Sequence, residues 1–434
     1  MRVLGFWASC WLSFALSACV TVSPTPAHVL EALQQSPEAW LTGTPKGVGK
    51  PLVLNNKDFV WTIEPLPGQE GAAFSRMAAK HIYASLWTLA EGAKGAEELR
   101  CELALNETAF DIEGLAFMPG GAFLLAASRN GKLYIVEAGG CHLKHSVELG
   151  KPLVSVAAHP QGKWVAVGAS DGNIGLLAWP FEGEFFWEAV HADEIRALAF
   201  DKEGHLFSGG FDKRIVQWLL REGEEGKLFL EKQKEFMFEA YVNDFSIDAL
   251  GKTLGIALSE AKAERSLETY QREERGEKEP VRAGDGGALL NIETGEQKAF
   301  FAHRGTVTTA GISPDGQMLV TGGFDKRILF HRQGEKPWER ELGLSIRRLR
   351  FSHSGRYVWA AAWTPQHAQP DKASHPSALA YELLFGEDAF VRSPPQAPKA
   401  PEPEPFLHNN SREGLGEASN GAAESAAEKS PVEE

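Results

Sequence analysis

The chain has 434 residues, with 58 Asp and Glu against 44 Lys and Arg and a formal charge of −14 at pH 7. That acid excess argues against a nucleic-acid partner, because binding there needs clustered Lys and Arg to displace counterions. The four cysteines have no metal-ligand spacing, and no Walker, H-E-x-x-H or Cys-x-x-Cys signature occurs, so no catalytic residue, metal or cofactor is expected.

Residues 1–18 read as an export signal. Arg2 gives a positive start, and residues 3–16 form an apolar core too short to span a membrane comfortably. The tetrapeptide Leu16-Ser17-Ala18-Cys19 then resembles the lipobox of bacterial lipoproteins. The resemblance implies acylation of Cys19, and Val20 in place of the Asp that signals inner-membrane retention implies the outer membrane. Residues 19–50 carry Pro24, Pro26, Pro37, Pro45 and Gly47, with one short helical piece near 27–35, and read as a tether. Each acyl chain contributes roughly 0.8 kcal/mol per buried methylene, so a multiply acylated cysteine is a lasting anchor.

From residue 51 to 392 the chain repeats. Four runs at 58–64, 72–77, 82–89 and 97–104 read as strands, with a turn at 65–71. Beyond them, glycines in one context, between two apolar runs, stand at Gly121, Gly162, Gly204, Gly251, Gly316 and Gly355. The heptapeptide Gly-Gly-Phe-Asp-Lys-Arg-Ile occurs at 209–215 and again at 322–328. Around Gly204 the unit has runs at 195–200, 205–209, 215–220 and 227–231, separated by Gly and Asp turns. A period of about 40 residues with four short strands per unit is that of a propeller blade. The fold expected is an all-β propeller with seven blades, the first degenerate; six blades with an unusual cap is the alternative.

Within these units His191, Ser208, Asp212 and Trp218 stand at the spacing of the WD40 family, which this region resembles. The unit around Gly316 supplies His303, Thr321 and Asp325, with His331 in place of the Trp. Asp171 and Asp285 keep the turn acid, and Asn130 replaces it. The resemblance implies a buried structural relay, the His donating to the hydroxyl and the hydroxyl to the indole, rather than a catalytic triad.

Two insertions stand out, 261–284 and 364–376, each between the second and third strands of its blade. In the family that connection opens onto the upper face. The first holds Arg265, Tyr270 and Arg272, with Glu268 and Arg272 spaced for an i,i+4 pair, and these are candidate partner-binding residues. So are Arg347 and Arg348, which with Arg350 lie on a first strand lining the channel; Glu339 and Glu341 are their expected partners. His367 and His375 read as surface-loop residues, and Cys101 and Cys141 are the one disulfide option that export would permit. Residues 393–434, rich in Pro, Glu, Ser and Ala, read as a disordered tail.

Together these readings describe a monomeric, lipid-anchored propeller, periplasm-facing, that scaffolds a protein partner of the cell envelope. The rival is an envelope enzyme, a hydrolase or quinone-dependent oxidoreductase, using the channel mouth. A clickable fatty acid fed to cells should label the wild type and spare Cys19→Ala; label persisting in the variant would remove the anchor.

Overall fold

The computed structural model describes residues 25–36, 38–55, 59–78, 81–89, 96–105, 112–140, 142–181, 185–223, 227–263, 285–332, 334–363, 377–386 and 388–393. Among these residues lie seven four-stranded antiparallel sheets and one two-stranded sheet. The sheets are the seven blades of a propeller: 59–105, 112–148, 153–189, 195–237, 241–300, 307–341, and a seventh whose first three strands are Ser345–Phe351, Tyr357–Trp363 and Ala378–Phe385. In the first six blades the strands pair in chain order. The degenerate first blade is therefore present, with strands Phe59–Pro65, Gly71–Ala78, His81–Leu89 and Ala96–Leu105. No helix among the described residues is long and apolar enough to cross a membrane.

The fourth strand of the seventh blade comes from the other end of the chain. Pro45–Asn55 pairs antiparallel with Ala378–Phe385, Pro45 opposite Phe385 and Asn55 opposite Ala378. A second clasp pairs Trp40–Thr42 with Phe390–Arg392, and the helix Ala27–Gln34 buries Val29 in the same core as Tyr381 and Phe385. The tether expected over 19–50 is thus corrected: residues 40–42 and 45–50 belong to the fold. Pro45, Gly47 and Pro51 resemble a linker in sequence because this strand is outermost, where a missing N–H faces away from the ladder.

Stacking the blades radially buries what each sheet would expose. Trp359, fully buried on the last blade, packs edge-on against Phe74 of the first, with ring centroids 6.5 Å apart. Ile174 and Leu176 of the third blade share a core with Val216 and Trp218 of the fourth.

Every first strand carries one extra residue against its second strand, at Trp61, Glu113, Val154, Arg196, Asn243, Thr308 and Arg347. Such a bulge leaves a residue outside the ladder and re-aims its side chain. Here several reach the next blade: Asn243 Nδ2 donates to the Val307 carbonyl at 2.7 Å, and Thr308 Oγ1 to that of Ile346 at 2.6 Å. Ser75 and Ser155 make the same kind of bond, to Ile112 and Ile195.

Below, "upper" denotes the face holding the connections between the second and third strands and between blades; "lower" denotes the opposite face. Deleting residues 45–55 should strip the last blade of its edge and abolish a single sharp melting transition. An unchanged melt would mean that the ring closes without this strand.

Candidate functional site: the channel and the upper face

The repeated heptapeptide folds into one turn twice. A Cβ on Gly210 or Gly323 would lie 1.9 or 2.3 Å from the carbonyl oxygen of Glu194 or Thr306, so only glycine fits there. Lys213 and Lys326 follow with φ of 66° and 67°, and Ile215 and Ile328 enter the core. Arg214 and Arg327 close the turn outside, on Glu235 at 2.8 Å and on Glu339 at 2.5 and 2.6 Å.

The aspartates of these turns hold buried histidines. His191 Nδ1 lies 2.8 Å from Asp212, its Nε2 2.7 Å from Ser208 Oγ, and Trp218 Nε1 donates to the same hydroxyl at 2.7 Å. With the His191 proton on Nδ1 facing Asp212, every atom is satisfied if Ser208 donates to Nε2 and accepts from the indole. The relay therefore runs opposite to the direction read from sequence, because an indole N–H has no lone pair with which to accept. In the sixth blade His303 meets Asp325 at 3.0 Å and Thr321 at 2.7 Å, and Thr321 Oγ1 lies 2.8 Å from His331 Nε2. Protonated on Nε2, His331 supplies the donor that Trp218 supplies in the fourth blade. Burial, helped by His303, pushes its imidazole down to about 3, so it is neutral.

The other blades vary the theme. In the fifth, Ser259 Oγ donates directly to Asp285. In the third, Asp171 accepts from Lys151 and from the Asn173 N–H. Asn130 of the second blade accepts from the Lys132 N–H at 2.9 Å and donates to Tyr134 at 2.7 Å.

The channel holds a column of charges that the sequence reading largely missed. At its upper end Arg129 bridges Glu113 at 2.9 Å and Glu194 at 3.0 Å, and Arg196 joins Glu194 at 2.6 Å. Half-way down, Asp244 accepts from Arg348 at 2.6 Å and from both Nη atoms of Arg350 at 2.8 and 2.9 Å. Arg347 stacks on Trp61 at 4.1 Å. Glu339 and Glu341 are thus not the partners of Arg347 and Arg348. Those acids stand on the outermost strand of the sixth blade, while the arginines line the axis. Both arginines are engaged inside the channel rather than displayed to a partner.

Two channel acids shift in opposite directions. Burial raises a carboxyl, but Arg196, Arg347 and Arg129 outweigh it at Glu113 and hold that group down at about 2. At Glu64, burial wins over Arg350 and Arg348, Asp244 adds to it, and the carboxyl rises to about 7. The upper mouth, where a rival active site would lie, is filled by mutually paired Glu and Arg.

On the upper face, the root of the 261–284 insertion is pinned by the bulge residue Asn243, which donates to the Ala261 carbonyl and accepts from the Ala263 N–H. Lys262 reaches Asp193 at 2.7 Å and lies over the rings of Phe211 and Tyr241. Arg265, Tyr270, Arg272, His367, His375, Cys19 and Cys141 lie outside the described residues, and the Cys101 side chain is not among those described.

Residues 143–176, 188–218 and 295–331 match the family model of the WD domain, G-beta repeat. The chain is a β-propeller, three segments of which match WD40 repeats. Each matched segment starts on or just before the outer strand of one blade and ends on the third strand of the next, the same offset that lends 45–55 to the seventh blade. The chain is also 25% identical over 224 residues to SEC12-like protein 2 of Arabidopsis thaliana, covering 45% of this chain and 56% of that protein. It therefore spans about half the length of the curated relative it matches.

Because His331 is neutral when folded but titrates near 6.5 when unfolded, its stabilisation is complete above about pH 6.5. It is lost as pH falls toward 3, by about 2 kcal/mol at pH 5. The channel and turn aspartates with lowered values, such as Asp212 at about 2, act in a lower window, while His159, at about 4, shares this one. The fall in melting temperature from pH 7 to pH 5 should thus be smaller, not absent, in His331→Phe. A fall as large as in wild type would contradict a neutral His331.

Proposed function

We propose that this propeller is a lipid-anchored scaffold of the bacterial cell envelope that holds a protein partner on its upper face. One observation carries the reading: the two extra segments enter at the same connection. Segment 261–284 lies between Thr253–Ser259 and Gly286–Asn291, and 364–376 between Tyr357–Trp363 and Ala378–Phe385. Both roots therefore sit on the upper face, two blades apart. Loops on a rigid repeat scaffold are the usual place for recognition.

One exposed apolar side chain lies beside the first root. Phe301 is 58% exposed at the upper end of the fifth blade's outer strand, and a Cβ on Gly286 would lie 2.9 Å from its ring. The anchoring half of the proposal rests on Leu16-Ser17-Ala18-Cys19 and the charge of Arg2, and Val20 in place of Asp favours the outer membrane.

Replacing 261–284 by a short Gly-Ser turn should leave the melting temperature within a few degrees while reducing partner recovery after crosslinking in intact cells. Undiminished recovery by a well-folded variant would move the site to the sides or the lower face.

A further inference from the structure

The chain joins the fold on its lower face. Thr25 is buried, and its Oγ1 accepts a hydrogen bond from the Phe385 N–H at 3.1 Å, at the lower end of the last blade's third strand. Val29 enters the core that holds Tyr381 and Phe385. The Leu41 N–H donates at 2.8 Å to the Ser354 carbonyl, in the turn between the first and second strands of that blade. The chain is thus fixed to the propeller from Thr25. Cys19 lies six residues earlier, and six residues reach at most about 20 Å even when fully extended. Acyl chains on Cys19 sit in a bilayer, so this short leash holds the lower side of the seventh blade close to the lipid headgroups.

The lower rim across the axis suits the same surface. In a ring of seven, the third and fourth blades stand opposite the seventh. Leu143, Phe185 and Phe229 are exposed at the lower ends of the second, third and fourth blades, and Phe390 is exposed at the seam itself. Trp179 and Phe181, half-buried in the lower connection of the third blade, pack edge-on with ring centroids 5.0 Å apart. Lys163 and Lys227 stand exposed beside them and form no ion pair among the described residues. Aromatic and leucine side chains interspersed with lysine are what a protein resting on a phospholipid surface presents to it.

We propose that the lower face is apposed to the bilayer: the disc lies flat on the phospholipid surface that holds the acyl chains of Cys19. The leash ties down the seventh blade, and the second to fourth blades rest on their apolar rim. The inference rests on the anchoring proposed above and adds its geometry. The roots of 261–284 and 364–376 then stand farther from the lipid by about one strand length, roughly 20 Å, and face away from the bilayer.

The test uses the full acylated chain, carrying Cys101→Ser and Cys141→Ser, on vesicles of phosphatidylethanolamine and phosphatidylglycerol doped with a headgroup-nitroxide lipid. A fluorophore is placed singly at Gln161→Cys or Glu222→Cys on the lower face, or at Ala192→Cys or Glu239→Cys on the upper face; all four residues are exposed. Quenching at least threefold stronger at the lower pair is expected, since a strand length of roughly 20 Å separates the two sets. Gln161 and Glu222 belong to the blades opposite the anchor, so their quenching requires a disc lying flat rather than standing on its seventh blade. Inserting about 20 Gly and Ser residues after Val20 should preserve acylation and melting while reducing the lower-face quenching about twofold or more. Equal quenching of the two pairs, stronger quenching of the upper pair, or lower-face quenching untouched by the insertion would overturn the orientation and leave the anchor standing. The mass of the purified chain reports on the anchor separately: an unmodified Cys19 would remove the anchor and the orientation with it. The four labels in the uninserted chain decide independently of whether the insertion variant folds.

Discussion

Everything in this propeller depends on the pairing of Pro45–Asn55 with Ala378–Phe385. Six blades complete themselves in chain order, but the seventh has only three strands of its own. Without the borrowed strand the last blade would end on an open edge, and the ring would be held there only by side-chain packing between the first and last blades, such as that of Trp359 on Phe74. The short clasp of Trp40–Thr42 on Phe390–Arg392 and the helix carrying Val29 reinforce the same seam. The borrowed strand becomes the outer edge in place of Ala378–Phe385, and its prolines blunt that edge against association.

Closure also forces seven first strands side by side around one axis, and the bulge each carries sets what faces that axis. Where the re-aimed residue is Asn243 or Thr308, it bonds the neighbouring blade's backbone; where it is Glu113 or Arg196, it joins a charge network. Charges out of water are costly unless neighbours of opposite sign and hydrogen bonds compensate. The channel shows both outcomes within a few residues. Glu113 is surrounded by guanidinium groups and stays ionised, while Glu64 has only distant charges and is pushed toward neutrality. Glu113 accepts a hydrogen bond from Arg129 at 2.9 Å, whereas Glu64 is held only by charge.

The relays divide labour differently. His191, Ser208, Asp212 and Trp218 form a closed set that fixes the fourth blade's loop, and a histidine replaces the tryptophan in the sixth without loss of the donor. A rigid disc of this kind leaves the connections free to grow, and both long ones do so on the upper face.

By itself the sequence determined the blade period, the strands of the degenerate first blade and the members of the relays. These are legible because their signals are local: a turn glycine, a repeated heptapeptide, and His, hydroxyl and Asp within one blade's length. Only the tertiary structure decided that residues 45–55 are a strand rather than a tether, since their partner lies at the far end of the chain and an edge position tolerates proline. It alone decided that Arg348 and Arg350 bind Asp244, 104 and 106 residues away, rather than the acids nearest in sequence. Pairing across a channel leaves no spacing in the chain, because the distance that matters is set by ring closure.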